Sequence, residues 1–495
     1  MIEGRKILSA AASAAFFFLS NVMSASVPAP NINTLSRAGL ENLHLLTPFQ
    51  IESLLDYRSR CGDILSAAEL SSVDGFGEDD IEALSSAVIF DMSPSSAARA
   101  RHMASFKVKK AYAKKGMTLT AKYEMSSQDL KCGAVVDDDP GGRFPDFVSA
   151  HVSWKGFMAG DFKACLGQGL IMWKGMTFSS LGEPSSILRR GCGIQGYKSS
   201  DESQYLRGAA YSGNWGTVGM DVFCALNHRM VGADVSKRIG TWKFGVNAVS
   251  GLKEGGGLWA DASMDFMGSI GNLRLFGELA SSERLAPAVR LGSIWRPLYE
   301  LELSCAVWAY APAYRARHSA SSVKDQAGAE LAARYSPGRW KFNLNAAYRY
   351  KPSDGTSSMK YRISVQYSFQ DGSSVLYHFR NGQHRLDGKL VLGDWRLGAR
   401  AEGNLKGFGL YADVTYRHRR FEASARFTYY DTRDWASRIY LYERDVPQSF
   451  ATVAYYGKGT GEYLVVKYSP VRYAEFWLKV QQNYLAFFTR ITIPG

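Results

Sequence analysis

After its first 26 residues, the sequence has no apolar run long enough to form a membrane-spanning helix. Such a helix needs roughly 18 to 20 uncharged apolar residues, so a multi-span helical membrane protein is excluded. Acidic residues are in deficit, with 46 against 59 basic ones and a net charge of +13. Disorder is excluded because 26 Phe, 27 Tyr and 11 Trp would not stay solvated. If the chain crosses a membrane, it does so with strands.

Recognisable catalytic and metal-binding motifs are also missing. The six cysteines are irregularly spaced without a Cys-x-x-Cys pair, and the eight histidines form no HExxH motif. The GxSxG nucleophile elbow is absent as well. The sequence therefore predicts no metal, no cofactor and no enzymatic activity. An outer-membrane enzyme that assembles its site from distant strands is kept as the third alternative.

Residues 1–26 are predicted to be a secretory signal peptide. Arg5 and Lys6 precede the apolar stretch 7–19, and the small residues 24–26 provide a cleavage site. An uncleaved anchor is the alternative, although the apolar stretch is short for a membrane span. The mature chain is thus predicted to be exported.

Two zones of different periodicity follow this segment. In residues 31–90 the apolar residues recur at intervals of mostly three to five, which predicts a compact helical module. Residues 91–103 are mostly small and polar, as in a linker between domains. From residue 104 to residue 495 the period changes to two, which is the period of β-strands.

The alternating runs predict an antiparallel β-barrel. Several last about 9 to 12 residues, the length that a tilted strand needs to cross a bilayer, whereas strands of soluble sheets usually have 5 or 6. Turn sequences such as Asn381-Gly382 and Gly393-Asp394 join neighbouring runs, so parallel crossovers are excluded over most of this region. A soluble sandwich or propeller is the alternative. The predicted fold is mainly β, a large transmembrane barrel of about 20 to 24 strands with a small all-α amino-terminal domain.

Three segments of the helical module match a known family. They are residues 31–34 (NINT), 54–58 (LLDYR) and 73–77 (VDGFG), which resemble parts of the tandem helix-hairpin-helix domain of the competence DNA receptor ComEA. The resemblance implies that the turn Gly75, Phe76 and Gly77 offers backbone N–H groups to a ligand such as phosphate. With Gly160-Asp161-Phe162 and the segment 166–170 (LGQGL), the whole chain resembles an uncharacterised Gram-negative family that joins this module to an outer-membrane barrel.

The charge of the module argues against DNA as its partner. Residues 31–90 contain three basic and ten acidic residues, for a net charge of −7. Nonspecific DNA affinity depends on cations that neutralise phosphates, and acidic residues 78–80 stand where the family usually has a basic one. The module is therefore predicted to contact an unknown periplasmic protein, with DNA binding or DNA uptake as the alternative.

The remaining positive charge lies in the barrel region, where residues 91–495 carry +19. Between residues 340 and 430, nine basic and three acidic residues fall on the polar faces of the alternating runs. Six of the basic residues are candidates to line the lumen: Lys341, Arg349, Arg362, Arg396, Arg400 and Arg426. They predict a lumen that favours an anionic solute. The alternative is that several contact phosphates of the outer-membrane lipid. The predicted function is an outer-membrane channel or assembly component with its module in the periplasm.

Overall fold

The computed structural model describes residues 30–493, apart from several short gaps. These gaps are 42, 44, 47–49, 52–53, 56–57, 59–63, 65–69, 71–80, 82–83, 85–86, 91–99, 114, 128, 143, 175–183, 190, 192, 299, 321–322, 405, 450–451 and 472. The predicted signal peptide and the turn Gly75, Phe76 and Gly77 therefore lie outside the described residues. Within the described part, no helix is long and apolar enough to cross a membrane.

Strands make up most of the chain beyond residue 100. In chain order they are β1 (Arg101–Ala111), β2 (Thr118–Ser126), β3 (Leu130–Asp138), β4 (Phe147–Trp154), β5 (Phe157–Cys165), β6 (Gly193–Gly196), β7 (Leu206–Trp215), β8 (Val218–Ala225), β9 (Met230–Ile239), β10 (Trp242–Leu252), β11 (Leu258–Ile270), β12 (Leu273–Ser281), β13 (Pro287–Leu298), β14 (Leu301–Tyr310), β15 (Gln326–Tyr335), β16 (Trp340–Lys351), β17 (Thr356–Ser368), β18 (Ser374–Arg380), β19 (Gln383–Leu392), β20 (Trp395–Asn404), β21 (Gly407–His418), β22 (Phe421–Thr432), β23 (Ile439–Tyr442), β24 (Thr452–Tyr455), β25 (Lys458–Val471), β26 (Ala474–Gln481) and β27 (Tyr484–Ile493).

Twenty-four of these strands close into an antiparallel barrel. Each pairs with the next along the chain, and β1 pairs with β27 from His102↔Ile493 to Ala111↔Tyr484, which closes the ring. The short strands β6, β23 and β24 lie outside the ring. The predicted antiparallel barrel and its strand number are thus confirmed. The first strand begins at Arg101, within the stretch predicted as a linker, because its polar first residues pair with the end of β27.

The barrel wall has an apolar outer face and a polar inner face. On β16, Leu344 is 50% exposed whereas the adjacent Asn345 is 1% exposed. Successive side chains of a strand point to opposite faces. The outward positions of other strands also carry exposed apolar side chains, including Val152, Val246, Leu331 and Leu464. This polarity is that of a barrel in lipid and excludes a soluble sandwich, which buries its apolar faces.

The connections between strands differ at the two ends of the barrel. At the end where β1 starts and β27 finishes, called here the turn end, every connection has two to five residues. At the opposite end, called the loop end, three connections are much longer: residues 166–205, 311–325 and 433–457. Exposed aromatic side chains form a belt near the turn end, among them Trp154, Phe157, Trp215, Trp340, Trp395 and Tyr468. Such belts mark the bilayer interface.

The tight turn between β18 and β19 shows how the sequence sets the hairpins. Asn381 and Gly382 both have positive φ angles, of 48° and 83°. A two-residue type I′ turn requires this geometry at both positions, and Asn-Gly adopts it at the lowest cost. The predicted hairpin therefore forms with Arg380 opposite Gln383.

The described residues of the amino-terminal segment pack a core of their own. A short helix, α1 (Arg37–Glu41), supplies Leu40 to a buried cluster. The other buried members are Ile32, Ile51, Leu54, Ile64, Leu70, Leu84 and Val88. A parallel bridge between Asn31 and Ile89 joins the two ends of the segment. The helix-hairpin-helix arrangement itself stays a prediction.

Candidate functional site

The six predicted basic residues lie on the inner face of the barrel wall. Lys341 and Arg349 are on β16, Arg362 on β17, Arg396 and Arg400 on β20, and Arg426 on β22. Each alternates with outward apolar or aromatic residues, as Arg396 does with exposed Trp395 and Leu397. The strand register therefore directs all six side chains towards the lumen.

The connection 166–205, called the first lumen loop, runs against the inner wall. Its backbone N–H groups at Gln168 and Leu170 donate to Oε2 of Glu278, at 2.6 Å and 3.1 Å. Glu278 is inward-facing and 1% exposed, and it belongs to β12. Gly167 has a φ of 52°, and a Cβ atom there would lie 2.8 Å from the carboxyl carbon of Glu278. Only glycine lets the loop approach the carboxylate this closely.

A fork in the sheet directs this loop inward. β5 pairs with β7 along its first part and with β6 along its last part. At the fork, Nε and Nη2 of Arg207 donate to the two carboxylate oxygens of Asp161 at 2.6 Å and 2.8 Å. This bidentate pair fastens β7 to β5. The motif Gly160-Asp161-Phe162, which carried the family resemblance, thus marks the point where the chain leaves the wall.

The connection 311–325 packs on the first lumen loop. The hydroxyl of Tyr314 donates to the backbone oxygen of Leu170 at 2.8 Å, and both side chains are fully buried. The backbone N–H of Trp173 donates to the backbone oxygen of His318 at 2.7 Å. The His318 ring lies 5.2 Å from that of His228 and 5.7 Å from that of Trp259. Burial, with the nearby Lys174 and His228, lowers the pKa of His318 to about 4.

A second stretch of the first lumen loop packs on the wall beside Glu278. The turn Pro184–Ile187 brings Ile187 into an apolar cluster with four inner-wall residues, Phe276, Ile294, Ala306 and Ala332. Arg290 donates from Nη2 to the backbone oxygen of Ile187 at 2.8 Å. Arg189 donates from Nη1 to the backbone oxygen of Gln168 at 3.2 Å. These contacts hold both described stretches of the loop against β12–β15.

The connection 433–457, called the second lumen loop, folds onto the opposite side of the lumen. Its carboxylates Glu443 and Asp445 lie 3.4 Å and 3.5 Å from Nζ of Lys479 on β26. Lys479 is 0% exposed, so the loop carboxylates replace the water that would solvate this cation. Tyr484 donates its hydroxyl proton to Asp445 at 2.6 Å. The ion pairs of Lys479 with Glu443 and Asp445 therefore hold the middle of the second lumen loop against the wall.

Arg426, one of the six predicted residues, lies under the second lumen loop. It pairs with Asp413 at 2.7 Å and donates to the backbone oxygen of Tyr442 at 2.6 Å. Its guanidinium also lies 3.7 Å from the ring centre of Tyr411. Arg426 therefore fastens the loop.

Between the areas covered by the two loops lies a strip of cationic wall. Lys351 at the end of β16 pairs with Asp354 of the following turn. Apart from it, the inner face of β16–β20, called here the basic wall, carries nine cations and two carboxylates: Lys341, Arg349, Lys360, Arg362, Arg380, Arg385, Lys389, Arg396 and Arg400, with Asp387 and Glu402. Asp387 accepts from both Arg385 and Arg400. Most of these side chains are half-buried.

Several lumen residues were missed by the sequence reasoning. Arg380, Arg385 and Lys389 lie on two strands that were not included, although the outward alternation of Val375, Tyr377 and Phe379 gives a readable signal. Glu278 carries no such signal, because its function depends on a loop 108 to 110 residues earlier in the chain. No group of three or more metal-ligating side chains occurs in the described part of the chain.

Fold and lumen together define the class of protein. A closed 24-stranded antiparallel barrel with an apolar outer face and a polar inner face is an outer-membrane β-barrel. Its three long connections all lie at one end, and two of them reach deeply into the lumen. This class includes both open and plugged pores.

Comparison with known proteins adds structural likenesses at low identity. No protein-family model matches the chain, and no curated protein matches it significantly. Among solved structures, the translocation pore of the P pilus usher PapC is 11% identical, with a TM-score of 0.41 over 80% of this chain and 98% of that chain. The FrpB iron transporter from Neisseria meningitidis is 10% identical, with a TM-score of 0.37 over 80% and 81%. The siderophore receptor PirA from Pseudomonas aeruginosa is 9% identical, with a TM-score of 0.40 over 80% of each chain.

None of these three neighbours is named as an enzyme. Their names describe a pore, a transporter and a receptor. At such identities and TM-scores, the likeness assigns no solute and no partner to this chain.

Proposed function

We propose that this protein is an outer-membrane channel for small anionic solutes, narrowed by its own two lumen loops. The observation that carries the proposal is the basic wall, where nine cations face two carboxylates on β16–β20. With both carboxylates ionised, this strip carries a net charge of +7. Fixed charge of one sign on a pore wall attracts counter-ions and repels co-ions.

The excess of positive charge on the basic wall favours transport over a purely structural role. A structural charge cluster would be expected to balance its charges, as Glu475 does between Lys467 at 3.1 Å and Arg490. Arg362 and Arg380 instead face each other directly across adjacent strands. Like charges in this arrangement destabilise a sheet. Like charges placed side by side on the inner wall favour a role in attracting anions.

The amino-terminal module is proposed to lie in the periplasm and to contact a protein there. In outer-membrane barrels the short turns face the periplasm and the long loops face outward. The chain enters β1 at the turn end, so residues 31–90 precede the barrel on that side. Their net charge of −7 supports a protein partner with a basic surface.

Charge reversal on the basic wall tests the channel. The purified protein is reconstituted in planar bilayers, and the reversal potential is measured across a gradient of potassium chloride. We expect the double variant Arg362→Glu and Arg400→Glu to lose most of the chloride preference, because it changes the wall charge from +7 to +3. The matched control is Lys237→Glu, which carries the same type of change on the outer face near the turn end. Equal selectivity in all three proteins would contradict the proposal.

DNA uptake is the second candidate, because a basic lumen also suits a polyanion. A fluorescence anisotropy titration of the full chain with duplex and single-stranded DNA separates the two candidates. We expect no binding tighter than roughly 10⁻⁴ M at physiological salt, which is the weak end of nonspecific affinity. Micromolar binding with a steep salt dependence, lost when Gly75 and Gly77 are replaced by bulky residues, would favour DNA uptake.

A further inference from the structure

The second lumen loop presents exposed tyrosine side chains to the lumen. Its hairpin of β23 and β24 packs on the inner wall through Ile439, which shares an apolar cluster with the wall residues Tyr411 and Tyr430. Because successive side chains of a strand point to opposite faces, Tyr440 and Tyr442 point away from the wall. They are 52% and 50% exposed, whereas Ile439 is 1% exposed. The free face of the hairpin is therefore aromatic.

Two further aromatic rings extend this face towards the loop end. Trp435 lies just beyond the end of β22, and Tyr456 directly follows β24. Their rings meet edge to face, with centres 4.8 Å apart, and both are more than half exposed. At the other end, the backbone oxygen of Tyr442 accepts from Arg426 in the middle of β22. Trp435, Tyr456, Tyr440 and Tyr442, called here the aromatic ladder, thus lead from the loop end into the lumen.

The aromatic ladder faces water rather than lipid. Exposed aromatic side chains of the outer face contact the bilayer, whereas the hairpin that carries the ladder packs on the inside of the wall. Contact between large aromatic rings and water is unfavourable. A contiguous patch of such rings in water marks an interaction site.

Arg438 adds one fixed cation to the ladder. Its guanidinium lies 4.6 Å from the ring centre of Trp435 and 5.2 Å from that of Tyr440. Nε donates to the hydroxyl of Tyr440 at 2.6 Å, and Nη1 donates to the backbone oxygen of Trp435 at 2.7 Å. These contacts fix the plane of the guanidinium and leave Nη2 to donate to a ligand.

The carboxylates closest to the ladder along the loop bind other groups. Asp434 accepts from the backbone N–H of Ser437 at 2.8 Å. Glu443 and Asp445 lie against Lys479 on the wall, at 3.4 Å and 3.5 Å. Within the described part of the chain, no carboxylate forms an ion pair with the guanidinium of the ladder.

Hydroxyl groups border the rings of the ladder. Thr452 is the register partner of Tyr442 and is exposed on the same face of the hairpin. Ala454 is the register partner of Tyr440, and its small side chain leaves that ring open. The exposed Tyr456 contributes a further hydroxyl. Each hydroxyl can both donate and accept a hydrogen bond.

From this arrangement we infer that the aromatic ladder and Arg438 form a binding site for an acidic saccharide, a short chain of sugar rings that carry carboxylates. One face of a sugar ring consists of C–H groups, which pack on the electron-rich face of an aromatic ring. The sugar hydroxyls pair with those of Thr452 and Tyr456, and a carboxylate accepts from Nη2 of Arg438. The inference rests on the proposed function and deepens it by naming the class of anionic solute.

A short nucleic acid is the competing ligand, because bases also stack on aromatic rings. The guanidinium of Arg438 already stacks on both Trp435 and Tyr440, so a flat base finds no free slot between these two rings. A saccharide needs only one open face of each ring. It also uses the bordering hydroxyls, for which a base has few partners. The contacts therefore favour the saccharide.

Binding measured at equilibrium tests the site without requiring conductance. The full chain in detergent is titrated calorimetrically with trigalacturonate, with the neutral trisaccharide maltotriose and with a thymidylate trinucleotide. We expect trigalacturonate to bind at least tenfold more tightly than maltotriose, because only trigalacturonate has carboxylates for Arg438. The trinucleotide should bind more weakly than trigalacturonate.

Two variants separate the charge from the rings. Arg438→Gln should lower the affinity for trigalacturonate to that for maltotriose, and Arg438→Lys should lower it less, because it keeps the charge and loses the fork. Tyr456→Ala should weaken trigalacturonate binding at least threefold, because it removes one ring face. The matched control is Tyr348→Ala, which removes an exposed tyrosine from the outer face of β16 and should change no affinity.

Retarded mobility of unheated samples in SDS gels confirms that each variant keeps its barrel. No binding of trigalacturonate, equal affinity for it in wild type and Tyr456→Ala, or tighter binding of the trinucleotide would overturn the site. An anion-selective pore that binds no saccharide would refute the site alone. Saccharide binding in a pore without anion preference would refute the channel alone.

Discussion

Glu278 and His318 hold the first lumen loop by different means. Glu278 offers one charged oxygen to two backbone N–H groups of the loop, at 2.6 Å and 3.1 Å. His318 offers a ring packed beside Trp259 and His228 and a backbone oxygen bound by Trp173. The first contact depends on the carboxylate of Glu278. The ring packing of His318 depends on its imidazole being neutral. Each residue therefore gives a separate test of whether the loop can be released.

Replacing Glu278 by alanine should release the loop. The change leaves the N–H groups of Gln168 and Leu170 without their acceptor, at a cost of about 1–3 kcal/mol for each buried donor. We expect the open-channel conductance of Glu278→Ala in planar bilayers to rise above that of the wild type, while its SDS-gel mobility stays unchanged. Glu278→Gln keeps one acceptor oxygen and serves as the milder comparison. Identical conductance in all three proteins would show that this contact does not restrain the loop.

Acidification should loosen the same loop through His318. Its pKa is lowered to about 4 in the packed state, against about 6.5 for a solvated histidine. The packed state therefore binds fewer protons than the released state, so its stability is complete above about pH 6.5 and declines as the pH falls towards 4. We expect conductance to increase over this interval.

Two variants identify the titrating group in that pH profile. His318→Gln should reduce the step in conductance and leave the part due to His228, whose pKa is also lowered by burial. His384→Gln changes an exposed histidine of the outer face and should leave the step in place. Conductance that stays flat in the wild type from pH 7 to pH 4 would contradict the release of the loop by His318.

At the scale of elements, the strands could be predicted from the sequence far better than the loops. β16, for example, spans Trp340–Lys351, where the sequence alternates with a period of two, and so long a run has one interpretation. The lumen loops depend on contacts between distant residues, such as that between Leu170 and Tyr314, 144 positions apart. No local pattern encodes such a contact. The basic residues on β16, β17 and β20 could therefore be assigned to the polar face, but the burial of Arg426 under a loop could not.

A crosslink between two elements should lock the first lumen loop in place. Met172 and His318 form an isolated parallel bridge, and backbone bridge partners lie within the Cα separation that a disulfide accepts. With the native cysteines replaced by alanine, the pair Met172→Cys and His318→Cys should lower conductance when oxidised and regain it in dithiothreitol. Each single-cysteine variant is the control and should not respond. A double variant that crosslinks without any change in conductance would show that the loop does not gate the lumen.

At the scale of the whole molecule, the charges are divided between two parts of the chain. The amino-terminal residues 31–90 carry −7, and residues 91–495 carry +19. This division fits a barrel that handles anions and a module that contacts a basic protein surface. Two lumen loops narrow the barrel on opposite sides, while the basic wall occupies the strip between them. Anion preference should therefore arise in the wild-type barrel even when its loops are in place.

The reversal potential of the wild-type channel tests the central claim most directly. Measured in planar bilayers across a potassium chloride gradient, it should show a preference for chloride over potassium at about 0.1 M salt, where the Debye length is about 10 Å. The preference should fade near 1 M, because the Debye length falls to about 3 Å and the wall charges are screened. A preference for potassium at low salt would contradict the account, since it would mean that the basic wall does not set the potential of the conducting path.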